Sequence, residues 1–398
     1  VFTIPMMKRV GYNANFAGAV EASASVGGQI LPPIMGASAF IMAETTGVKY
    51  STIALAAFFP ALLYYLGVIA QVHFRAGKDN LKGIPKADLP RVKEVLLARG
   101  HLLIPIFALV YFLSESVPIN FAAFYTIVIS IIVSQFRKET RMNFKDVVDA
   151  LISGAKQSLP VMAACAVVGI IIGTVSLTGF ASVMISMITS IGKDSLFLTL
   201  FLTMLASMVL GMGLPSIPAY IITATMAAPA IAGLGVPVLV AHLFVFYFGL
   251  FANITPPVAL ASFAGAGIAG GDPMKTGWQS LKLALAGFIV PFMFVFNPSM
   301  LYIDTSGLTS MNVTEFPVPP ILSIIMISFT SIVGVISLGA AVEGYFKTNM
   351  NMIERLILAV GALMLIIPEL YTDIGGMIIV VIIAVMNIQK SKKLTLSK

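Results

Sequence analysis

Runs of apolar residues long enough to cross a membrane follow one another along the chain, with short polar stretches between them. They predict helices at about 14–43, 52–73, 101–117, 120–136, 158–178, 195–231, 238–268, 280–301, 320–342, 353–367 and 374–389. The runs within 101–136 and 353–389 are short, so tilt or local thinning of the bilayer is expected there. Two runs carry a proline pair near their middle, Pro32-Pro33 and Pro256-Pro257. Each pair removes two backbone donors and must unwind its helix. Unwound backbone is tolerated at membrane depth only where it is buried in protein or lines a polar cavity. The run at 195–231 is too long for one span and has Gly211-Met212-Gly213-Leu214-Pro215-Ser216-Ile217-Pro218 at its centre. It predicts a re-entrant hairpin, since two ordinary spans would reverse everything downstream.

Residues 1–43 recur within 219–267 at an offset of 224: Pro5 with Pro229, Gly11 with Gly235, Pro32 with Pro256, Pro33 with Pro257, and Ser38 with Ser262. One proline pair alone would read as a packing kink. Two in the same register point to the binding site of a secondary transporter. Counting the first broken helix, the chain crosses the membrane an odd number of times before the second hairpin, so the second copy is inverted. By the same offset, the tip of a first hairpin falls about ten residues before Val1, and Phe2-Thr3-Ile4-Pro5-Met6-Met7 is its second arm. The chain opens inside an apolar segment with no Met and no leader, which predicts a fragment or processed product.

Composition agrees with the hydrophobic pattern. The chain is 58% hydrophobic and 10% charged, where soluble domains carry about 25% charged residues. Its mean hydropathy is +0.99, so most of the mass belongs in the bilayer. The net charge of +7 reflects topology and anionic lipid, not nucleic acid. On the predicted spans, all of the 24 lysines and arginines except Lys49 and Lys193 fall on one face, which is cytoplasmic by the positive-inside rule. Two segments on that face read as interfacial helices that brace a moving core. Residues 143–156 place Phe144, Val147, Val148, Leu151 and Ile152 on one side. Residues 88–99 do the same more weakly behind Asp88 and Pro90, and a plain linker is the alternative there. The single cysteine, Cys165, reads as a small core residue.

In the first break, Gly27 and Gly28 permit backbone angles that other residues resist, and the prolines keep the helix from re-forming. Freed carbonyls and serine hydroxyls are hard oxygen ligands for an alkali cation, while freed N–H groups attract a carboxylate. In the second break Asn253 and Thr255 supply side-chain oxygens, and the hairpin tip is expected to approach both. No Lys or Arg occurs in 10–48 or 194–274. An anionic substrate must therefore be held by hydroxyls, amides, helix ends or bound cations, with Ser23, Gln29, Ser216 and Asn253 as candidates. Glu21 is the acidic residue set deepest in a span, and charge there is functional by default. It could carry a coupling proton, bind a cation or hydrogen-bond a substrate hydroxyl; capping unwound amides is the structural alternative. Glu343 reads as interfacial, and His73, His101 and His242 lack acidic partners at catalytic spacing. No cofactor is implied and no metal beyond Na+; the coupling ion is Na+ or H+.

Phe16-Ala17-Gly18-Ala19-Val20-Glu21-Ala22, Gly27-Gly28-Gln29, Pro32-Pro33, Gly211-Met212-Gly213-Leu214-Pro215 and Thr255-Pro256-Pro257 together resemble the large membrane subunit of TRAP transporters, a DctM-like permease. The resemblance covers roughly residues 1–300 and is closer to the TAXI branch, whose small and large subunits are commonly fused (4TM/12TM). The segment after Asn297-Pro298-Ser299 resembles, more weakly, the extra C-terminal helices of fused TAXI permeases. On this resemblance the chain is N-terminally truncated, lacking the small-subunit helices, the first scaffold helices and the first hairpin tip. The family implies an elevator-type transporter that takes organic acids from a periplasmic or extracellular TAXI-type binding protein, alongside a small membrane subunit. It implies a first cation site from Ser25, Gly27, Gly28 and Pro32, and a second from Gly211, Gly213, Asn253, Ile254 and Thr255.

The expected fold is thus an all-α polytopic membrane protein, an inverted-repeat elevator-type transporter with a re-entrant hairpin and two broken helices. Its parts are a hairpin arm with the first broken helix (1–48), scaffold and interfacial helices (49–157), and the second repeat (158–270). A membrane helix (271–302) and a three-helix extension (303–398) follow. The expected function is ion-gradient-driven, binding-protein-dependent uptake of a small organic acid such as a dicarboxylate across a bacterial or archaeal cell (inner) membrane. The alternative is an exporter or exchanger of the same fold that needs no binding protein. An intramembrane enzyme is not expected: there is no His-Glu-x-x-His, no paired span aspartates and no Ser/His pairing at depth.

Overall fold

The computed structural model describes residues 2–33, 35–85, 89, 91–115, 117–192, 195–305, 315–366 and 370–396. Asp88, Pro90 and Lys193 lie outside the described residues. The chain opens with α1 (Thr3–Val10), α2 (Ala14–Gly27), α3 (Ser38–Thr46) and α4 (Tyr50–Lys78). Next come α5 (Val92–Arg99), α6 (Ile104–Ser114), α7 (Ile119–Ser134), α8 (Phe144–Thr178) and α9 (Phe180–Gly192). The hairpin is α10 (Leu196–Gly211) with α11 (Ser216–Met226) and α12 (Ala228–Ala232). The second broken helix is α13 (Val238–Phe251) with α14 (Leu260–Ala269), followed by α15 (Pro273–Leu283) and α16 (Leu285–Phe296). The C-terminal helices are α17 (Ile321–Glu343), α18 (Met352–Ile366) and α19 (Leu370–Leu396). Among the described residues six helical stretches are long and apolar enough to cross a membrane, and six shorter apolar helices accompany them. Among the described residues there is no β-strand, so the protein is an all-α polytopic membrane protein.

The internal repeat is visible in the backbone. α2 and α13 have the same length and stand 224 residues apart at both ends. Gly11 and Gly235 both have positive φ (113° and 83°), as do Met35 and Ala259 (51° and 39°), all at that offset. The two copies run antiparallel. The start of α2 meets the end of α14, where the Asp272 N–H donates to Asn15 Oδ1 (2.7 Å) and Lys8 Nζ donates to Ala269 O (2.6 Å). Between those ends the helices touch at Gly18 and Gly265. A Cβ on either would fall 2.9 Å or 2.6 Å from the other's carbonyl oxygen.

The core centres on α13, whose residues apart from His242 are apolar and, from Leu243 to Phe251, buried all round, as a helix enclosed by others requires. Phe244, Phe248 and Phe251 interlock with Phe288 and Phe292 of α16, and Tyr64 of α4 stacks on Phe251 at 5.5 Å.

Several expectations change. The interfacial segment at 143–156 is not a separate helix but the first third of α8, 35 residues long. Asn143 starts it with a reciprocal cap to Asp146 (2.9 and 2.8 Å), and Lys156-Gln157-Ser158 contains no stop signal. At 1.5 Å per residue it is about 52 Å long, well beyond a hydrocarbon core of about 30 Å. α5 buries none of its residues, and the turns of α8 before Pro160 are exposed apart from the half-buried Val147 and Val148. Of the apolar faces that suggested a brace, Leu89, Val92, Leu96, Phe144, Leu151 and Ile152 are exposed. α9 was not expected, because 13 residues fall short of a span. The span expected at 280–301 starts earlier, at the Asp272 cap, and is divided at Ala284. Cys165 is half-buried on α8, not in a core.

Candidate functional site: two broken helices and a hairpin tip

The two breaks share one backbone design. Gln29 N donates to Val26 O (3.1 Å) and Ile30 N to Gly27 O (3.1 Å); 224 residues on, Asn253 N donates to Leu250 O (3.0 Å) and Ile254 N to Phe251 O (3.0 Å). Met35 N to Leu31 O and Ala259 N to Thr255 O match again, at 3.2 Å each. Both helices thus tighten into 3₁₀-type turns, pass through a cis Pro–Pro bond and restart after a left-handed residue. Gln29 and Asn253 occupy the same place, one amide side chain in each break. Sequence reasoning chose both without seeing that equivalence, although adding the offset to 29 gives 253.

In the second break the hairpin tip comes to Asn253, as expected: its Nδ2 donates to Leu214 O at 3.3 Å. Gly213 turns the tip with φ 74°, and Gly211 lets α10 lie on α13, where a Cβ would be 2.6 Å from Gly249 O. Thr255 makes no hydrogen bond to the tip among the described residues. Its hydroxyl is buried and donates back to Phe251 O (2.8 Å). Ile254 is fully buried, and Ser216 opens α11 half-buried. Ser262, at the repeat position of Ser38, donates to Ser280 Oγ (2.8 Å) and Ile254 O (3.4 Å). Sequence reasoning named Ser262 only as a repeat marker; its burial next to a break could not be read from the chain.

In the first break, Tyr64 and Tyr65 hydroxyls cap Ser23 O (2.7 Å) and Ala24 O (2.8 Å), so two of the carbonyls at the helix end are already bonded. Tyr50 OH donates to Pro33 O (2.8 Å). Ser25 and Gly28 are exposed and Pro32 is half-buried, which leaves this break more open than the second. Ser23 is not aimed at the break; its buried hydroxyl faces Ser280 O on α15 at 3.4 Å. The Gln29 Oε1 and Ser38 Oγ atoms are buried with no hydrogen-bond partner among the described residues. Gly28 has ordinary right-handed angles (φ −60°) and Gly27 no positive φ. The reason for Gly27 is space: a Cβ there would lie 2.5 Å from the Tyr64 ring.

Glu21 sits six residues before Gly27, about 9 Å along the helix. It is half-buried and accepts a hydrogen bond from the Thr3 hydroxyl of α1. Among the described residues the acidic side chain that the fold buries is Glu343, not Glu21. His242 Nδ1 pairs with Tyr220 OH (2.7 Å) and His101 Nε2 with Thr140 Oγ1 (3.1 Å), neither with an acid.

Antiparallel repeats, each broken at the same point, with a hairpin tip bonded to one break, define the core of a secondary transporter. Residues 1–307 match the family described as the Tripartite ATP-independent periplasmic transporter, DctM component, and the chain belongs to that family. It is the large membrane component of a TRAP-type transporter, which works with a substrate-binding protein and a small membrane component. No curated protein matches the chain.

Proposed function

We propose that this chain is the permease through which a small organic acid enters the cell, driven by a sodium gradient and fed by a binding protein of the TAXI type. The supporting observation is the paired amides: Gln29 and Asn253 stand at equivalent points of two antiparallel breaks, and one already holds a hairpin tip. Such a pair of sites offers neutral oxygens and N–H groups, which suits a cation beside a carboxylate. Ser25, Gly27, Gly28 and Pro32 form the proposed first cation site, and Gly211, Gly213, Asn253, Ile254 and Thr255 the second. Gln29, Ser216 and Asn253 contact substrate in this reading, and Ser23 reaches it only if α2 turns. Sodium is favoured over protons because Glu21 lies away from the breaks and is engaged by Thr3. In this proposal the repeats move together as an elevator body in a bacterial or archaeal inner membrane, with the small component fused in a longer protein.

Uptake of labelled C4–C5 dicarboxylates into proteoliposomes, with the binding protein outside and a sodium or pH gradient imposed, tests the reading. Sodium-driven uptake lost in Asn253→Leu supports it. Proton-driven uptake lost in Glu21→Gln would move the coupling to that carboxylate. Transport without any binding protein would favour the exporter or exchanger, and no ion-dependent flux would end the proposal.

A further inference from the structure

A cavity of about 210 Å³ lies on the basic face, between α2 and α15 of the repeat core, α4, and the α17–α18 turn. That volume is far above the roughly 10–15 Å³ that admits one water. Arg75, Lys78, Lys282 and Arg355 line it together with Gln279 and the buried Glu343. Two of the cations are fixed by the end of α17: Lys78 Nζ donates to Glu343 O (2.7 Å), and Arg355 donates to Ala341 O (2.9 Å) and Val342 O (2.8 Å). Arg75 is held over the Phe16 ring at 5.5 Å and by Asp79 at 2.7 Å, with Glu343 3.7 Å away. Lys282 has no ion-pair partner among the described residues. Two carboxylates therefore face four cations, and the partial negative charge of the α17 C-terminus offsets only about half a charge more.

We infer that this cavity is an anion site for a phosphate group, taken from an acidic phospholipid headgroup or from free phosphate. Guanidinium and ammonium groups fixed around one space are suited to phosphate oxygens. A basic pocket between membrane helices on the positive face is where an acidic headgroup can reach. Its walls come both from the family-matched part of the chain and from α17 and α18 beyond residue 307. An anion held there joins the C-terminal helices to the repeat core.

The test uses the whole chain purified in detergent, with thermal melts and native mass spectrometry as readouts. The probes are phosphatidylglycerol, phosphatidylcholine and inorganic phosphate. Phosphatidylglycerol is expected to raise the melting temperature and stay bound, and phosphatidylcholine to do neither. Lys282→Gln should weaken binding about fivefold, from about 1 kcal/mol per basic residue at an anionic surface, while Lys275→Gln, exposed on the same face, leaves it unchanged. Protection by phosphatidylglycerol alone identifies the lipid as source, and equal, Lys282-dependent protection by phosphate identifies the free ion. Equal losses in both lysine variants, or no protection of the native protein by any anion, would overturn the site. Arg75→Gln is a second variant with the same expected direction, and Lys282→Gln decides if it fails to fold.

Discussion

At Gly27 the space for one methyl group is missing. The Tyr64 ring that blocks it is tied by its hydroxyl to Ser23 O and stacked on Phe251, so it has little room to withdraw. Gly27→Ala is expected to cost roughly 1–3 kcal/mol, the range for overpacking a filled interior, measured as a fall in thermal stability. Asn253→Leu keeps the side chain's size and removes the donor to Leu214 O. Folding yield should hold while sodium-driven uptake falls below a tenth of the native rate; unchanged uptake would remove Asn253 from the site. Glu21→Gln should keep most of that uptake, since Thr3 can still donate to the amide oxygen. The chain announced Asn253 and Gln29 by residue type and place, but hid the true role of Gly27. Its constraint comes from a tyrosine 37 positions later, which no local pattern reveals.

Each break restarts its second half-helix after a residue with positive φ, Met35 or Ala259. For a residue with a Cβ that conformation costs roughly 1–2 kcal/mol, while glycine adds about 0.5–1 kcal/mol of chain entropy. Ala259→Gly relieves that strain but removes a fully buried methyl worth about 0.8 kcal/mol, so the melting temperature is expected to change little, with no loss of uptake. The proline pairs made both breaks legible, because two missing donors leave a helix nowhere to continue. Helix ends set by packing or caps were not. α9 is too short to register as a span, and α8 runs through residues expected to separate two elements because Asn143 and Asp146 start the helix early.

At the scale of the molecule, orientation follows from charge. Lys49 pairs with Glu315 at 3.7 Å across two loops expected outside, while Lys78 and Arg355 meet on the opposite face. In a Cys165→Ser background, Glu315→Cys should react with a membrane-impermeant maleimide in intact cells, and Asn80→Cys only after lysis. The reverse pattern would invert the topology. The Lys49–Glu315 pair itself is exposed, so Glu315→Ala should change stability by less than about 1 kcal/mol.

By itself the sequence determined that the chain lives in a membrane, that it is helical, that two helices break in matching places, and that a hairpin turns at Gly211–Pro218. Those properties depend on transfer energies and missing backbone donors, which belong to each segment wherever it ends up. Only the tertiary structure decided which freed groups remain available. Tyr64 and Tyr65 cap the first break, Ser280 takes Ser23 and Ser262, Thr3 takes Glu21, and Leu214 meets Asn253. Each of these partners arrives from a different helix, and a hydrogen bond requires a position within a few tenths of an ångström that no segment specifies alone.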